Sequence, residues 1–255
     1  MWVITRRACR RCISPQHEVI GDIGPALKRL AELLADKPRQ EIGHFMQLRT
    51  LIHERVAQGS QDERFPLTPQ RIVRDVRLAL PDDGIVALDN GMYKIWFARG
   101  YRTHVANTIL LDNALATMGA GLPSAMMAAL LYPERKVMAV CGDGGFMMNS
   151  QELETAMRLK LNLVVVIIED GAYGMIRWKQ AAAGFADYGL TFNNPDFVKY
   201  ADAYGARGVR VDSAAALLPT LTRALAEGGV HLVIVPVDYS ENQRVLIDEL
   251  KRLPS

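Results

Sequence analysis

Short β-branched runs alternate with helical patterns from Phe65 onward, and this alternation limits the possible folds more than any other feature of the sequence. The runs that suit buried strands are residues 85–88, 137–140, 163–168, 208–211 and 232–235. Helical periodicity lies around them, at residues 69–80, 121–131, 151–159, 195–204 and 214–226. Strands that alternate with helices predict an α/β fold in which a parallel sheet carries helices on both faces.

The first 64 residues have a different pattern from the remainder of the chain. Apolar positions at helical spacing predict one helix over residues 22–35 and a second, more polar helix over 41–57. The polar, turn-prone stretch 59–63 then predicts a boundary near Arg64. We therefore expect a short helical segment over residues 1–64 and one large domain over 65–255.

Composition excludes several classes of protein. The net charge is +2, which gives no reason to expect a nucleic-acid partner, and no run of about 18 apolar residues predicts a membrane span. The three cysteines indicate a reducing cytoplasm. Cys9 and Cys12 form a CxxC pair, but no second pair follows to complete a zinc site.

Two predicted strands end in similar chemistry. Asp143 follows one of them within Gly142–Gly145, and Asp170 follows the next strand 27 residues later. One right-handed crossover of this length would place both carboxylates on the same edge of a parallel sheet, where they could bind Mg²⁺. The glycines and the start of the following helix would admit an anion. Alternatively, Gly-Asp-Gly is only a turn and Asp170 only a helix cap.

The segment 142–180 resembles the motif of thiamine diphosphate (ThDP) enzymes, which opens with Gly-Asp-Gly. Its sequence is most similar to the acetolactate synthase branch of that family. The resemblance implies the diphosphate-binding (PP) domain of the ThDP-binding fold. It also implies a Mg²⁺ bound by Asp143, Asp170 and the backbone carbonyl of Ala172. Glu169 departs from the family pattern, which has Asn there, and adds negative charge near the diphosphate.

Two upstream segments extend the resemblance. Residues 113–123 are similar to the family segment in which a large apolar side chain, here Met118, props thiamine in a bent conformation. Without this match, ordinary core packing would be the preferred role of Met118. Residues 88–96 resemble the family's first diphosphate-contacting turn. The implied cofactor contacts are Asn90, Gly91, Met92, Tyr93, Ala116, Met118, Gly142, Asp143, Gly144, Gly145, Asp170, Ala172, Tyr173, Gly174, Met175 and Ile176.

The resemblance also implies a function that needs a partner. Family members activate the cofactor with a glutamate from a separate pyrimidine-binding domain of the partner subunit. No segment here resembles that domain, residues 14–38 resemble the end of the family's central domain, and we assign Glu18 no role. We therefore expect no catalytic residue in this chain, a homo- or hetero-oligomer with a subunit or homologue that bears the pyrimidine domain, and little activity alone.

Several functions remain open at this point. The leading expectation is decarboxylation and carboligation of a 2-oxo acid such as pyruvate, with Trp178 and Gln180 near the rim of the site. A ThDP-dependent 2-oxo acid decarboxylase subunit and a non-catalytic fragment that docks on a full-length homologue are the alternatives. A plain nucleotide-binding domain is disfavoured, because no Rossmann glycine pattern follows the strand that ends at Leu88.

Overall fold

The computed structural model of the chain describes residues 19–38 and 41–249. Cys9, Cys12 and Glu18 lie outside the described residues, so the expectations about them stay predictions. The chain forms two compact units, Met1–Thr50 and Leu51–Ser255. The functional boundary that we place near Arg64 also stays a prediction.

The first unit contains helix α1 (Ile23–Leu34), and helix α2 (Gly43–Val56) begins in it. Both lie where the sequence predicts helices. The apolar side chains Ile23, Leu27 and Leu30 share one face of α1 and are exposed.

The second unit contains the sheet and the other helices. Its strands are β1 (Ile85–Leu88), β2 (Ile109–Leu111), β3 (Val137–Gly142), β4 (Leu163–Glu169), β5 (Arg207–Arg210) and β6 (Val230–Pro236). Its helices are α3 (Pro69–Ala79), α4 (Met92–Gly100), α5 (Gly121–Leu131), α6 (Asp143–Met148), α7 (Glu152–Arg158), α8 (Gly174–Ala182), α9 (Phe197–Ala203) and α10 (Ala214–Glu227), followed by a π-helical turn at Arg244–Asp248.

The six strands form one sheet in the order β2-β1-β3-β4-β6-β5, and every strand pair is parallel. Strand residues alternate between two buried clusters. Val86 and Leu88 face one cluster with α3, α4 and α10, whereas Ile85 and Ala87 face the other with α5, α7 and α9. Burial on both faces explains the nearly continuous apolar strands, and the predicted fold class is confirmed.

The strand order reverses between β1 and β3. From β1 the chain passes to β2 on one side of it, and then crosses to β3 on the other side. In open parallel sheets, ligands bind outside the carboxyl ends of the strands at such a switch point. The loops after β1, β3 and β4 are therefore the expected location of a site. Among the helices of the described residues, none has both the length and the apolar character needed to cross a membrane.

Candidate functional site

The loops that follow β1, β3 and β4 enclose a small cavity. Its lining consists of Asn90, Gly91, Met92, Tyr93, Met118, Gly142, Asp143, Gly144, Gly145, Ile168, Asp170, Ala172, Tyr173, Gly174, Met175, Ile176 and Tyr239. The enclosed volume is about 40 Å³, which is small beside the clefts of roughly 300–1,000 Å³ that enclose drug-sized ligands. The cavity is therefore too small to enclose a ligand of that size completely.

Asp143 is the most firmly held carboxylate in this cavity, and it is 1% exposed. Its Oδ2 accepts hydrogen bonds from the backbone N–H of Gly171 at 2.7 Å and of Asp170 at 3.2 Å. The side-chain amide of Asn194 donates to the same oxygen at 2.8 Å, and Oδ1 accepts from the N–H of Gly144 at 2.8 Å. These hydrogen bonds hold the Asp143 side chain, which follows β3, against the loop that follows β4.

Asp170 lies opposite, at the end of β4, because Gly142 of β3 pairs in register with Ile168 of β4. Burial raises the pKa of Asp170 from its ordinary value of 3.8 to about 7, and the negative charge of Asp143 adds to that rise. A cation between the two carboxylates would oppose both effects, since it favours the ionised form of each.

The donor atoms fit a magnesium ion. Ala172 is 5% exposed and follows Asp170 in the same turn, so two carboxylates and one backbone carbonyl are available as hard oxygen ligands. Asn194 Oδ1 is also buried, with no hydrogen-bond partner among the described residues. Within residues 19–38 and 41–249, no group of three or more His, Cys, Asp or Glu side chains could hold a metal. Mg²⁺ needs no such group when phosphate oxygens complete its shell.

Glycines in these loops make room for neighbouring side chains. A Cβ at Gly144 would lie 2.9 Å from the ring of Tyr173, and a Cβ at Gly145 would lie 2.3 Å from Oδ2 of Asp89. A Cβ at Gly174, the first residue of α8, would lie 2.6 Å from Oδ2 of Asp170. The loops can therefore approach one another only because these positions lack side chains.

Asp89 holds the loops together, and we did not single it out from the sequence. It is fully buried, and its carboxylate accepts hydrogen bonds from the N–H groups of Asn90 at 2.7 Å, Gly119 at 2.9 Å and Ala120 at 3.2 Å. Burial raises the pKa of this carboxyl, and the backbone donors oppose the rise. The sequence did contain a signal for Asp89. Like Asp143 and Asp170, it is an aspartate that comes directly after the last residue of a strand.

Comparison with known proteins shows which family the chain belongs to. A family model described as thiamine pyrophosphate enzyme, C-terminal TPP binding domain, matches residues 89–235, and thiamine pyrophosphate is another name for ThDP. The chain belongs to the thiamine pyrophosphate enzymes. The resemblance found in the sequence is thereby confirmed.

Relatives of this chain include a catabolic acetolactate synthase from Raoultella terrigena, 38% identical over 89% of this chain and 41% of the relative. An acetolactate synthase from Bacillus subtilis is 34% identical over 93% of this chain and 42% of that protein. The chain thus spans about two fifths of these curated relatives' length.

One similar solved structure is a thiamine diphosphate-dependent 4-hydroxybenzoylformate decarboxylase from Rhodococcus jostii. It superposes with a TM-score of 0.65 at 28% identity, covering 69% of this chain and 33% of that chain. This similarity agrees with the all-parallel sheet described above.

Most cofactor contacts implied for a thiamine pyrophosphate enzyme come together in the cavity. All of them line it except Ala116, which lies in an exposed segment and has a positive φ of 55°. Ile168 and Tyr239 also line the cavity and were not expected from the sequence. Trp178 and Gln180 lie on α8 and are not part of the lining.

The negative charge of Glu169, which departs from the family pattern, is paired with a nearby positive charge. Arg210, at the end of β5, forms an ion pair with the Glu169 carboxylate. Asn194 Nδ2 lies 3.5 Å from the other carboxylate oxygen of Glu169. The additional negative charge is therefore partly neutralised by a guanidinium two strands away in the sheet.

Proposed function

We propose that this chain anchors the diphosphate of ThDP through a Mg²⁺ ion held by Asp143, Asp170 and the carbonyl oxygen of Ala172. The observation that carries the proposal is the register of β3 and β4, which brings two carboxylates to one cavity at the switch point of the sheet. The raised pKa of Asp170 supports a cation there, because burial and the neighbouring Asp143 charge disfavour its ionised form otherwise.

Other cavity residues would contact the rest of the diphosphate and the thiazolium ring. The hydroxyl of Tyr93 is buried without a hydrogen-bond partner among the described residues, and burial raises its pKa well above the ordinary value. It therefore stays protonated and can donate to a phosphate oxygen. Asn90, Gly91 and Met92 would complete this side, while Tyr173 through Ile176 would cover the other.

We propose that Met118 props the organic part of the cofactor, since it lines the cavity and is partly buried. When bound, ThDP would supply the nucleophilic carbon and the electron sink that decarboxylation of a 2-oxo acid needs. The protein residues fix the cofactor and exclude water from its diphosphate end. The cavity lining contains the carboxylates Asp143 and Asp170 and no glutamate, so we assign no acid–base residue for the pyrimidine ring.

The activity that fits these residues is 2-oxo acid decarboxylation with carboligation, of the acetolactate synthase type, with pyruvate as donor. The similarity to two acetolactate synthases supports it. A 2-oxo acid decarboxylase is the second candidate, supported by the similar decarboxylase structure. We propose that residues 65–255 form the cofactor-anchoring domain, and that turnover needs a subunit or homologue that bears a pyrimidine-binding domain.

Calorimetric titration of the purified chain with ThDP tests cofactor anchoring. We expect one site that requires Mg²⁺, and thermal stabilisation of about 2.7 kcal/mol at 100 times the Kd. Asp143→Asn and Asp170→Asn should each weaken binding. Asp187→Asn, a change at an exposed carboxylate outside the cavity, is the matched control. Equal stabilisation by Mg-ADP, or binding unchanged in both site variants, would refute the anchoring proposal.

A pyruvate assay tests the activity. We expect little turnover by the chain alone, and acetolactate once a related subunit with an intact pyrimidine domain but a disabled metal site is added. Acetaldehyde without acetolactate would favour the decarboxylase candidate. If the chain binds Mg-ThDP and neither product forms with the added subunit, then it is a non-catalytic fragment.

A further inference from the structure

A second cavity, larger than the one described above, lies elsewhere in the second unit. Its volume is about 380 Å³, and its walls come from residues 53–64, from α3 and α4, and from residues 241–249. None of its lining residues belongs to the cofactor cavity. A volume of this size lies within the range of roughly 300–1,000 Å³ that is typical of small-molecule sites.

The charge of this second cavity is strongly unbalanced. Seven arginines line it, against three carboxylates. All three carboxylates are already paired with arginines of the same wall: Asp62 with Arg64, Glu241 with Arg64 and Arg244, and Glu249 with Arg55 and Arg244. Of the other four arginines, Arg74 pairs with Asp75 and Arg77 with Asp82, two carboxylates outside the lining, so Arg99 and Arg102 carry the charge that no carboxylate of the described residues neutralises.

Two of the arginines are available to a ligand. Arg99 and Arg102 form no ion pair within the described part of the chain. Arg99 makes only a long contact, 3.4 Å, to the carbonyl oxygen of Val245. Arg77, by contrast, is held by the carbonyls of Leu80 and Pro81. Guanidinium groups are well suited to bind phosphate, because their planar N–H groups match its oxygens.

The rest of the cavity wall could contact the organic part of a ligand. Val73, Leu78 and Val245 contribute apolar surface. Gln70 also lines the cavity, and its Oε1 is buried without a hydrogen-bond partner among the described residues. A buried acceptor of this kind is rare in a folded protein unless a ligand or water satisfies it. A ligand hydroxyl would do so.

We propose that this cavity binds a small organic phosphate, with the phosphate on Arg99 and Arg102 and a hydroxyl of the organic part on Gln70. The site is separate from the ThDP site, so the two can be filled independently. The volume and the apolar wall favour a phosphate ester over free phosphate, and the paired carboxylates leave the two arginines as the phosphate contacts.

The test is calorimetric titration of the chain in EDTA, without ThDP, using ribose 5-phosphate, AMP, inorganic phosphate and ribose. We expect at least one of the two esters to bind at one site and more tightly than inorganic phosphate, whereas ribose does not bind. The double variant Arg99→Gln/Arg102→Gln should weaken binding by about tenfold or more. Gln70→Met should weaken the ester and leave inorganic phosphate unchanged.

The matched control is Arg158→Gln/Arg207→Gln, which removes two exposed arginine charges outside the cavity. It should bind the ester as the wild-type chain does, and Asp143→Asn should as well. Three results would overturn the proposal: neither ester binds, the control weakens binding as much as the double variant, or inorganic phosphate binds as tightly as the esters. The last result would indicate anion adsorption only.

Discussion

The side-chain amide of Asn194 donates a hydrogen bond of 2.8 Å to Oδ2 of Asp143, although 51 residues separate them. The same carboxylate oxygen accepts two backbone N–H groups from the turn after β4. Asn194 therefore orients the side chain that we propose as a metal ligand, and it does so from a segment outside the cavity lining.

Replacing Asn194 with alanine should weaken Mg²⁺-dependent ThDP binding by roughly 10- to 100-fold, the usual cost of removing a residue that orients a metal ligand. The fold should survive, because the sheet does not depend on this side chain. Calorimetry in the presence of Mg²⁺ measures the effect. Asn193→Ala, at the exposed neighbouring position, should bind normally. Equal Kd values for the two variants would contradict the proposed role of Asn194.

Gly174→Ala should weaken the binding of Mg-ThDP without lowering the stability of the fold. The new Cβ would lie 2.6 Å from Oδ2 of Asp170 and displace that carboxylate, which should raise the Kd for Mg-ThDP about tenfold or more. Helical alanine is not unfavourable, so the thermal midpoint without ligand should stay close to that of the wild-type chain.

The control for this change is Gly24→Ala, which alters a glycine in the first turn of α1 where nothing lies within 4 Å of the new atom. It should leave the Kd unchanged. A Gly174→Ala chain that binds Mg-ThDP with wild-type affinity would show that Asp170 can move without loss, and hence that it does not ligate the metal.

The pKa of Asp170 predicts how stability depends on pH. Because this pKa is raised to about 7 in the folded chain, the native state holds a proton that the unfolded chain releases near the ordinary value of 3.8. The corresponding stability is present below that ordinary value and is lost as the pH rises through about 7. One pKa unit corresponds to about 1.4 kcal/mol, so without metal the chain should lose up to about 4 kcal/mol through this group.

Urea unfolding of the metal-free chain at several pH values between about 4 and 8 measures this loss. The free energy of unfolding should decline between the two pKa values of Asp170, 3.8 in the unfolded chain and about 7 in the folded chain. Asp170→Asn cannot ionise and should lack the decline. Mg²⁺ with ThDP should restore stability at the higher pH in the wild-type chain only. Parallel pH profiles for the two metal-free chains would mean that the carboxyl titrates near its ordinary value.

Asp89→Ala should destabilise the fold, in contrast to the changes at the metal site. Three N–H groups around the switch point would lose their acceptor, at a cost of about 2–3 kcal/mol. Urea unfolding measures the loss. Asp82→Ala removes a side chain that is 73% exposed and should change the free energy of unfolding by less than about 0.5 kcal/mol. A small effect at Asp89 would mean that water satisfies these donors.

Much of the fold follows from local sequence signals. The five predicted strands lie within β1, β3, β4, β5 and β6 or within one residue of them. Thr68 caps α3, and Pro69 is its first residue, two residue types that favour these positions at the start of a helix. The edge strand β2 was missed, because its apolar run has only three residues, which is shorter than the runs that indicate a buried strand. Helices α4, α6 and α8 were missed as well, and the six residues of α6 include two glycines, which disfavour helix.

The site was only partly predictable, for a related reason. The proximity of Asp143 and Asp170 follows from one crossover between parallel strands, which is a local argument. The contacts of Asn194 with Asp143 and of Arg210 with Glu169 join residues that are 51 and 41 positions apart. No periodicity or spacing rule connects such residues, and their partnership appears only when the loops are packed.

The pairing of Gly142 with Ile168 has a consequence for how this site can change. A shift of β4 by one residue would move each of its side chains from one buried cluster to the other, so the register is fixed by packing in both clusters and not by the ligands. Substitutions at 169 or 170 can therefore alter the charge that meets the cofactor without moving the place where it binds. New ligand chemistry can arise here by single substitutions, while the core preserves the location.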